Sequence, residues 1–289
     1  MKSFTSALIA SFVLLGAAAS VFGHAGSRVW IGNVNGQVAT YTSDNDVSPT
    51  TYEPFRLFAT ELEDLLGIFT TEFPGFEVRR DGNGNVAAGT TFGFNIAGPL
   101  LYYDDVTTTF ITVDEAFGPP QPGPVPQLAL AHEMDLRVTA AAPVGGFDFY
   151  TFNAIGDHSH VDYTLLGDGV AAGGGPAGVY ALPLQLTSNA LATSELFFLL
   201  IGKEVSSTDP LFLEAVEVAE ATLLPGLPGD LNCDDVVDVG DAPLLAQALT
   251  DPDGYIAAWP DCHLSRADVN EDGFADGRDI QALMQVLLP

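Results

Sequence analysis

The sequence predicts a mainly β fold, an N-terminal β-sandwich of jelly-roll-like type followed by a small α-helical module at the C-terminus. Three observations carry this. From His24 to Leu224 apolar residues alternate with small or polar ones, and Gly, Pro, Asn and Asp break the runs every few positions. That is the pattern of short strands with one buried face. Only one stretch of that span has helical spacing. Beyond Gly229 the period changes, and two acidic stretches each lead into leucines four residues apart, one helical turn.

At the N-terminus, Lys2 precedes the apolar run Ala7 to Ala19, with small residues before cut points after Ala19 or Gly23. This is the make-up of a secretory signal peptide, assigned to residues 1–23. The run is shorter than the roughly 20 apolar residues that span a membrane. The chain is therefore expected to be secreted, extracellular or at the cell surface, with no transmembrane segment.

Val29-Trp30-Ile31 and Val38-Ala39-Thr40-Tyr41 flank Asn35-Gly36, a hairpin signal. Phe92, Phe94 and Ile96 alternate with smaller residues. So do Leu128, Leu130, Met134, Leu136 and Val138, and later Tyr180, Leu182, Leu184 and Leu186. Thr107 to Val113 is rich in β-branched residues, and Phe197 to Ile201 is apolar throughout, as in a strand buried on both faces. These runs amount to about eight to eleven strands, enough for two packed sheets. Asp81 to Asn85 reads as a turn, and Gly118 to Pro124 and Gly167 to Gly178 as loops. One helix is predicted after Thr208 or Asp209 as cap. Pro210 takes its first turn, and Leu211, Phe212, Ala215, Val216 and Ala219 form its apolar stripe. Residues 225–229 then form a stiff linker, dividing a β domain over 24–224 from a second unit over 230–289.

The 38 acidic residues outweigh 9 basic ones, a net charge of −29. Nucleic acid and anionic membrane surfaces both need positive patches and are excluded as partners. From Gly229 to Pro289 there are 13 acidic and 2 basic residues. Both cysteines, Cys233 and Cys262, fall here, and in a secreted chain this pair predicts a disulfide. Closing about 30 residues contributes about 3 kcal/mol by the chain-entropy estimate.

The acidic residues are spaced, not scattered. Asp230, Asn232, Asp234, Val236, Asp238 and Asp241 occupy positions 1, 3, 5, 7, 9 and 12 of one twelve-residue loop. Asp268, Asn270, Asp272, Phe274, Asp276 and Asp279 repeat the set 38 residues later. Side-chain oxygens at five of these positions, with the backbone carbonyl of Val236 or Phe274 at position 7, suit the six to eight oxygen ligands of calcium. Two ions are expected. Leu245 and Leu249 align with Leu283 and Leu287 on the helices that follow, so the two helices can pack on each other. No helix is expected to enter either loop.

Residues 229–289 thus resemble a dockerin type I domain. The resemblance implies two calcium-dependent half-motifs and a cohesin-like or other extracellular scaffold protein as partner. Gly273 holds position 6 of the second loop and eases its sharp turn, but Asp235 stands there in the first, which is expected to weaken the first site. Val239-Gly240 and Gly277-Arg278 occupy positions 10 and 11, which help the family read its partner, and they differ from the usual hydroxyl pair.

In the large domain, His158, His160 and Asp162 share the parity of one strand, with Val161, Tyr163 and Leu165 facing the core. Two imidazoles and a carboxylate on one face suit zinc or copper. The run from His158 and His160 through Tyr163 to Gly178 and Tyr180 also resembles bacterial surface-anchored domains associated with metal acquisition. His132 shares the parity of Leu130 and reads as a satisfied core residue. His24, if exposed by cleavage, offers an amine and an imidazole for copper. No nucleophile elbow or Cys–His pair is present, and acid pairs such as Glu61 and Glu63 are not singled out by their spacing. The preferred reading is a secreted non-catalytic protein with a calcium-dependent assembly module attached to a binding or structural β domain. Its rivals are an extracellular polysaccharide-degrading enzyme or accessory subunit, with carbohydrate as a partner, and a zinc-binding surface protein.

Overall fold

The computed structural model describes residues 28–45, 48–118, 125–167, 174–224, 227–233, 236–259, 262, 264–270 and 275–288. The signal-peptide run with His24, residues 119–124 of the proline loop and residues 168–173 of the glycine-rich loop lie outside the described residues.

Seventeen strands run along the described chain. The first half holds β1 (Val29–Val34), β2 (Gln37–Ser43), β3 (Tyr52–Pro54), β4 (Leu57–Glu61), β5 (Glu63–Leu65), β6 (Ile68–Thr71), β7 (Phe76–Val78) and β8 (Thr91–Ile96). β9 (Leu101–Asp104), β10 (Thr109–Thr112), β11 (Gln127–His132), β12 (Asp135–Val138) and β13 (Val144–Thr151) follow. The last four are β14 (His158–Ser159), β15 (Asp162–Leu166), β16 (Gly178–Ser188) and β17 (Phe197–Lys203). The helices are α1 (Val113–Phe117), α2 (Pro210–Thr222), α3 (Asp241–Thr250), α4 (Pro252–Ala258) and α5 (Gly277–Leu287).

The strands fall into three hydrogen-bonded groups: β14-β7-β1-β2-β3, a seven-stranded sheet built on β10-β9-β16-β17-β4 with β8 and β13, and β12-β11-β15-β6-β5. The count exceeds the sequence expectation because the chain changes sheet inside single apolar runs. β4 and β5 are separated by Leu62 alone, yet belong to different sheets. Very short edge strands such as β3 and β5 also carry too few residues to show alternation.

The first hairpin forms where expected. Trp30 lies opposite Tyr41, and Asn35 and Gly36 take φ of 52° and 89°, the paired left-handed turn that Asn-Gly favours. Residues 128–138, read as one alternating run, instead form the β11–β12 hairpin, with Glu133 at φ 52° in its turn. Met134 is 99% exposed and Leu136 is 55% exposed, so neither joins the core. Within Thr107–Val113, only Thr109–Thr112 is strand, and Val113 opens α1 behind a Thr112/Glu115 capping box.

β17 is buried at every position, as its composition predicts, and the packing explains why. Phe197, Leu199 and Ile201 join a core with Ile31, Phe76, Leu128 and Tyr163 from the other two sheets. Phe198 and Leu200 point the opposite way, onto Phe212, Ala215, Val216 and Ala219 of α2. The helix caps on Asp209, whose carboxylate accepts from Leu211 N at 2.9 Å. One buried charge sits among the strands. Glu77 on β7 is fully buried and pairs with Arg28 and, at 2.7 Å, with Arg80. A buried carboxylate needs such partners.

Candidate metal centre: two oxygen-rich loops

The C-terminal module is organised by its position-12 carboxylates. Asp241 opens α3 and Asp279 lies in the first turn of α5, and both are fully buried. Asp241 accepts from Asn232 N at 3.2 Å and from Asp238 N at 2.8 Å. Asp279 accepts from Asn270 N at 3.1 Å and from Asp276 N at 2.7 Å. Each carboxylate thus ties position 3 to position 9 of its own loop. Position 9 is matched too: Asp238 accepts from Gly240 N at 2.6 Å and Asp276 from Arg278 N at 2.8 Å. Hydrogen bonds from the Arg278 backbone, then from its guanidinium, hold the Asp276 carboxyl below the usual carboxylate range.

Behind the loops, Leu245 and Leu283, each 2% exposed, share one apolar cluster with Leu231, Tyr255 and Ala267. Leu249 and Leu287 pack against its margin. The alignment of the two leucine pairs is thereby matched by contact.

The stretch between the loops holds what the sequence reading missed. α4 is capped by Asp251, which accepts from Gly254 N at 3.1 Å. A 3-10 turn over Leu264–Ala267 leads into the second loop. Asp251-Pro252 is a cap followed by a first-turn proline, the signal that would have located α4. Tyr255, fully buried, donates its hydroxyl to Leu231 O at 2.9 Å. The predicted disulfide between Cys233 and Cys262 also forms here, with Cα atoms 5.8 Å apart. Arg266 pairs with the Asp230 carboxylate and donates to its carbonyl at 3.2 Å.

Asp234, Asp272 and Phe274 lie outside the described residues, and Val236 turns its side chain outward, 54% exposed. Among the described residues no three His, Cys, Asp or Glu side chains make a ready metal cage. In the loops the position-3 oxygens belong to asparagines, and the position-5 carboxylates are among those not described. The donors are nonetheless all oxygens, and Cys233 is committed to its disulfide. Fully buried Asp230, Asp241 and Asp279 suit a hard cation such as calcium, which offsets the cost of burying carboxylates.

The histidine run differs from its expected form. His158 belongs to β14 and pairs opposite Glu77, while Asp162 opens β15 and pairs opposite Ala131 in another sheet. The strand breaks at His160 and Val161, so the three do not share one continuous face. Val161, Tyr163 and Leu165 are buried as expected. The His158 and His160 rings are 5.2 Å apart between centroids. His160 Nδ1 donates to Glu72 O at 2.9 Å, and the ring leans on Gly75, where a Cβ would sit 2.8 Å from Cε1. His132 Nδ1 donates to His160 O at 2.8 Å, so the ring is satisfied as expected, but it is half-buried at the end of β11 and not part of the core. A carbonyl can only accept, so Nδ1 is the donating nitrogen in both rings and Nε2 is the one left for another partner. Glu61 accepts from Ser207 N at 2.6 Å, while Glu63 lies on an edge strand of a different sheet.

Residues 228–288 match the family model of the dockerin type I domain, so the C-terminal module is a dockerin type I domain. Domains of this type bind calcium, bind cohesins on scaffold proteins and occur in extracellular proteins. No curated protein gives a match. Among solved structures, the CooA pilin subunit from enterotoxigenic Escherichia coli is 10% identical. That match covers 56% of this chain and 95% of that one, at a TM-score of 0.24, too loose to inform the β domain. Among the described residues no helix is long and apolar enough to cross a membrane.

Proposed function

We propose that the chain is a secreted, non-catalytic protein whose dockerin module, over residues 230–289 and holding two calcium ions, attaches a β domain over 24–224 to an extracellular scaffold. Residues 1–23 are removed on export, and 225–229 join the parts. The observation that carries this reading is the paired arrangement of Asp241 and Asp279, each buried and each closing its own loop through positions 3 and 9. Asp230, Asn232, Asp234, Asp238 and the Val236 carbonyl complete the first ligand set with Asp241. Asp268, Asn270, Asp272, Asp276 and the Phe274 carbonyl complete the second with Asp279. Calcium supplies positive charge at the centre of each loop, and the loop carboxylates orient on it. Calorimetric titration of the full chain with calcium should give two sites, and chelation should lower the stability of the module alone. Stoichiometry of zero, or a melting profile indifferent to chelator, would sink the reading.

A second reading concerns zinc at His158 and His160. The closeness of the two rings and the Nδ1 bond of His160 support it, because a backbone carbonyl on Nδ1 orients Nε2 towards a metal. With the module saturated in calcium, zinc is titrated against a competing chelator in wild type and in a His158→Ala/His160→Ala variant. Equal uptake by the two proteins would reduce the pair to a polar surface.

A further inference from the structure

Among the described residues the two calcium loops are not supported alike: in the second, Arg278 pairs with Asp276 at an exposed position where water screens it, whereas the first is held by buried groups. The stretch between them reaches back to the first loop at three places: Tyr255 to the Leu231 carbonyl, Cys262 to Cys233, and Arg266 to Asp230. The third contact is a charge. Asp230, position 1 of the first loop, is fully buried, and the Arg266 side chain beside it is 14% exposed. The arginine holds the residue at its backbone as well: its carbonyl accepts from Gly229 N at 2.8 Å and its guanidinium donates to Asp230 O at 3.2 Å. Arg266 Nε is buried with no hydrogen-bond partner among the described residues, so the side chain is held by the charge it faces. The 38-residue repeat places Pro228, which has no charge, at the matching position before the first loop.

Resting on the calcium reading above, we propose that Arg266 is the built-in cation of the first loop. When calcium is absent it neutralises Asp230 and keeps the loop near its folded form. When calcium arrives, a positive charge already stands on one of its ligands. The two effects oppose each other: an ordered empty loop costs less to close, but the ion pair is weakened when a divalent ion stands beside it, and the repulsion between the two cations outweighs the gain in order. The first loop therefore holds calcium more weakly than the second and keeps its shape better without it. The two loops divide the work: one stays ordered through changes in calcium, and the other reports them.

Calcium release into a fast fluorescent chelator tests this on the full chain, since the measurement starts from loaded, folded protein. Wild type should show a faster and a slower phase. Asp241→Asn should remove the first and Asp279→Asn the second. Arg266→Gln should slow the faster phase by at least about tenfold, the effect of one unit charge about 6 Å from a divalent ion at the dielectric of water. Arg266→Lys, which keeps the charge, should release at close to the wild-type rate. In chelator, hydrogen exchange at residues 230–241 should rise in Arg266→Gln and not in Arg266→Lys. An unchanged or faster first phase in Arg266→Gln overturns this inference and leaves the calcium reading intact. Absence of any release from wild type overturns the calcium reading itself.

Discussion

The β region and the C-terminal module of this chain are held together by different means. In the β region, thirty fully or nearly buried apolar residues from three sheets meet in one core, and a second layer forms under α2. Among the described residues the module has seven. Burial stabilises by roughly 25 cal/mol per Å² of apolar surface, so a small cluster leaves a 60-residue unit marginal. What it lacks in burial it supplies with a disulfide, a buried tyrosine hydroxyl and carboxylates that cations neutralise. On this account the stability of the module should respond to redox state and to ions, whereas that of the β region should rest on packing.

That contrast can be broken or sharpened by substitution. The largest expected effect is in the β core. Phe197→Ala, at a side chain 1% exposed, should lower the stability of the β region by about 4 kcal/mol. Denaturant unfolding should show that loss equally with calcium and with chelator. A calcium-dependent loss would mean that the two regions unfold together. Next, replacing Cys233 and Cys262 by serine should lower the stability of the module by about 3 kcal/mol, with the β transition unmoved in calorimetry. Asp209→Ala, which removes the cap of α2, should destabilise the β region by about 1 kcal/mol.

The smallest effect is a titration. The Thr50 hydroxyl, then the backbone N–H groups of Thr51 and Thr50, hold the exposed Asp44 carboxyl down at about 2. Its folded value lies below the ordinary 3.8, so its contribution is present above that pH and lost as pH falls towards 2. NMR titration should find the low midpoint, and Thr50→Ala should bring it back up. A midpoint near 4 in wild type would remove the contribution.

Local chemistry was legible in the sequence where it is self-contained. Asn35-Gly36 specifies its turn, Asp209-Pro210 starts its helix, and the apolar run of β17 announces burial on both faces. The dockerin repeat was legible because its twelve-residue spacing needs no outside partner. The switches of sheet at Leu62 and at His160-Val161 were not. Alternation of buried and exposed residues continues across the second break, with Val161 and Tyr163 inside and Asp162 exposed, so parity does not reveal that the partner strand has changed. Arg266 was equally hidden. Its pairing with Asp230 spans 36 residues and depends on how a short 3-10 turn aims one side chain.

The position of β17 governs the order in which the β region can form. It lies between β16 and β4, and its pairing with β4 is parallel, joining Phe198 to Leu57 and Gly202 to Glu61. β4 has no other partner strand among the described residues. Until residue 203 has emerged, that early strand has nothing to pair with, and the main sheet stays incomplete. Contacts separated by about 140 residues must wait for a long loop to close, and high contact order of this kind slows folding. A chain that leaves the ribosome or a translocation channel from its N-terminus therefore travels with β4 unsatisfied. A fragment ending before Phe197 exposes that strand as an open edge, the situation that invites aggregation.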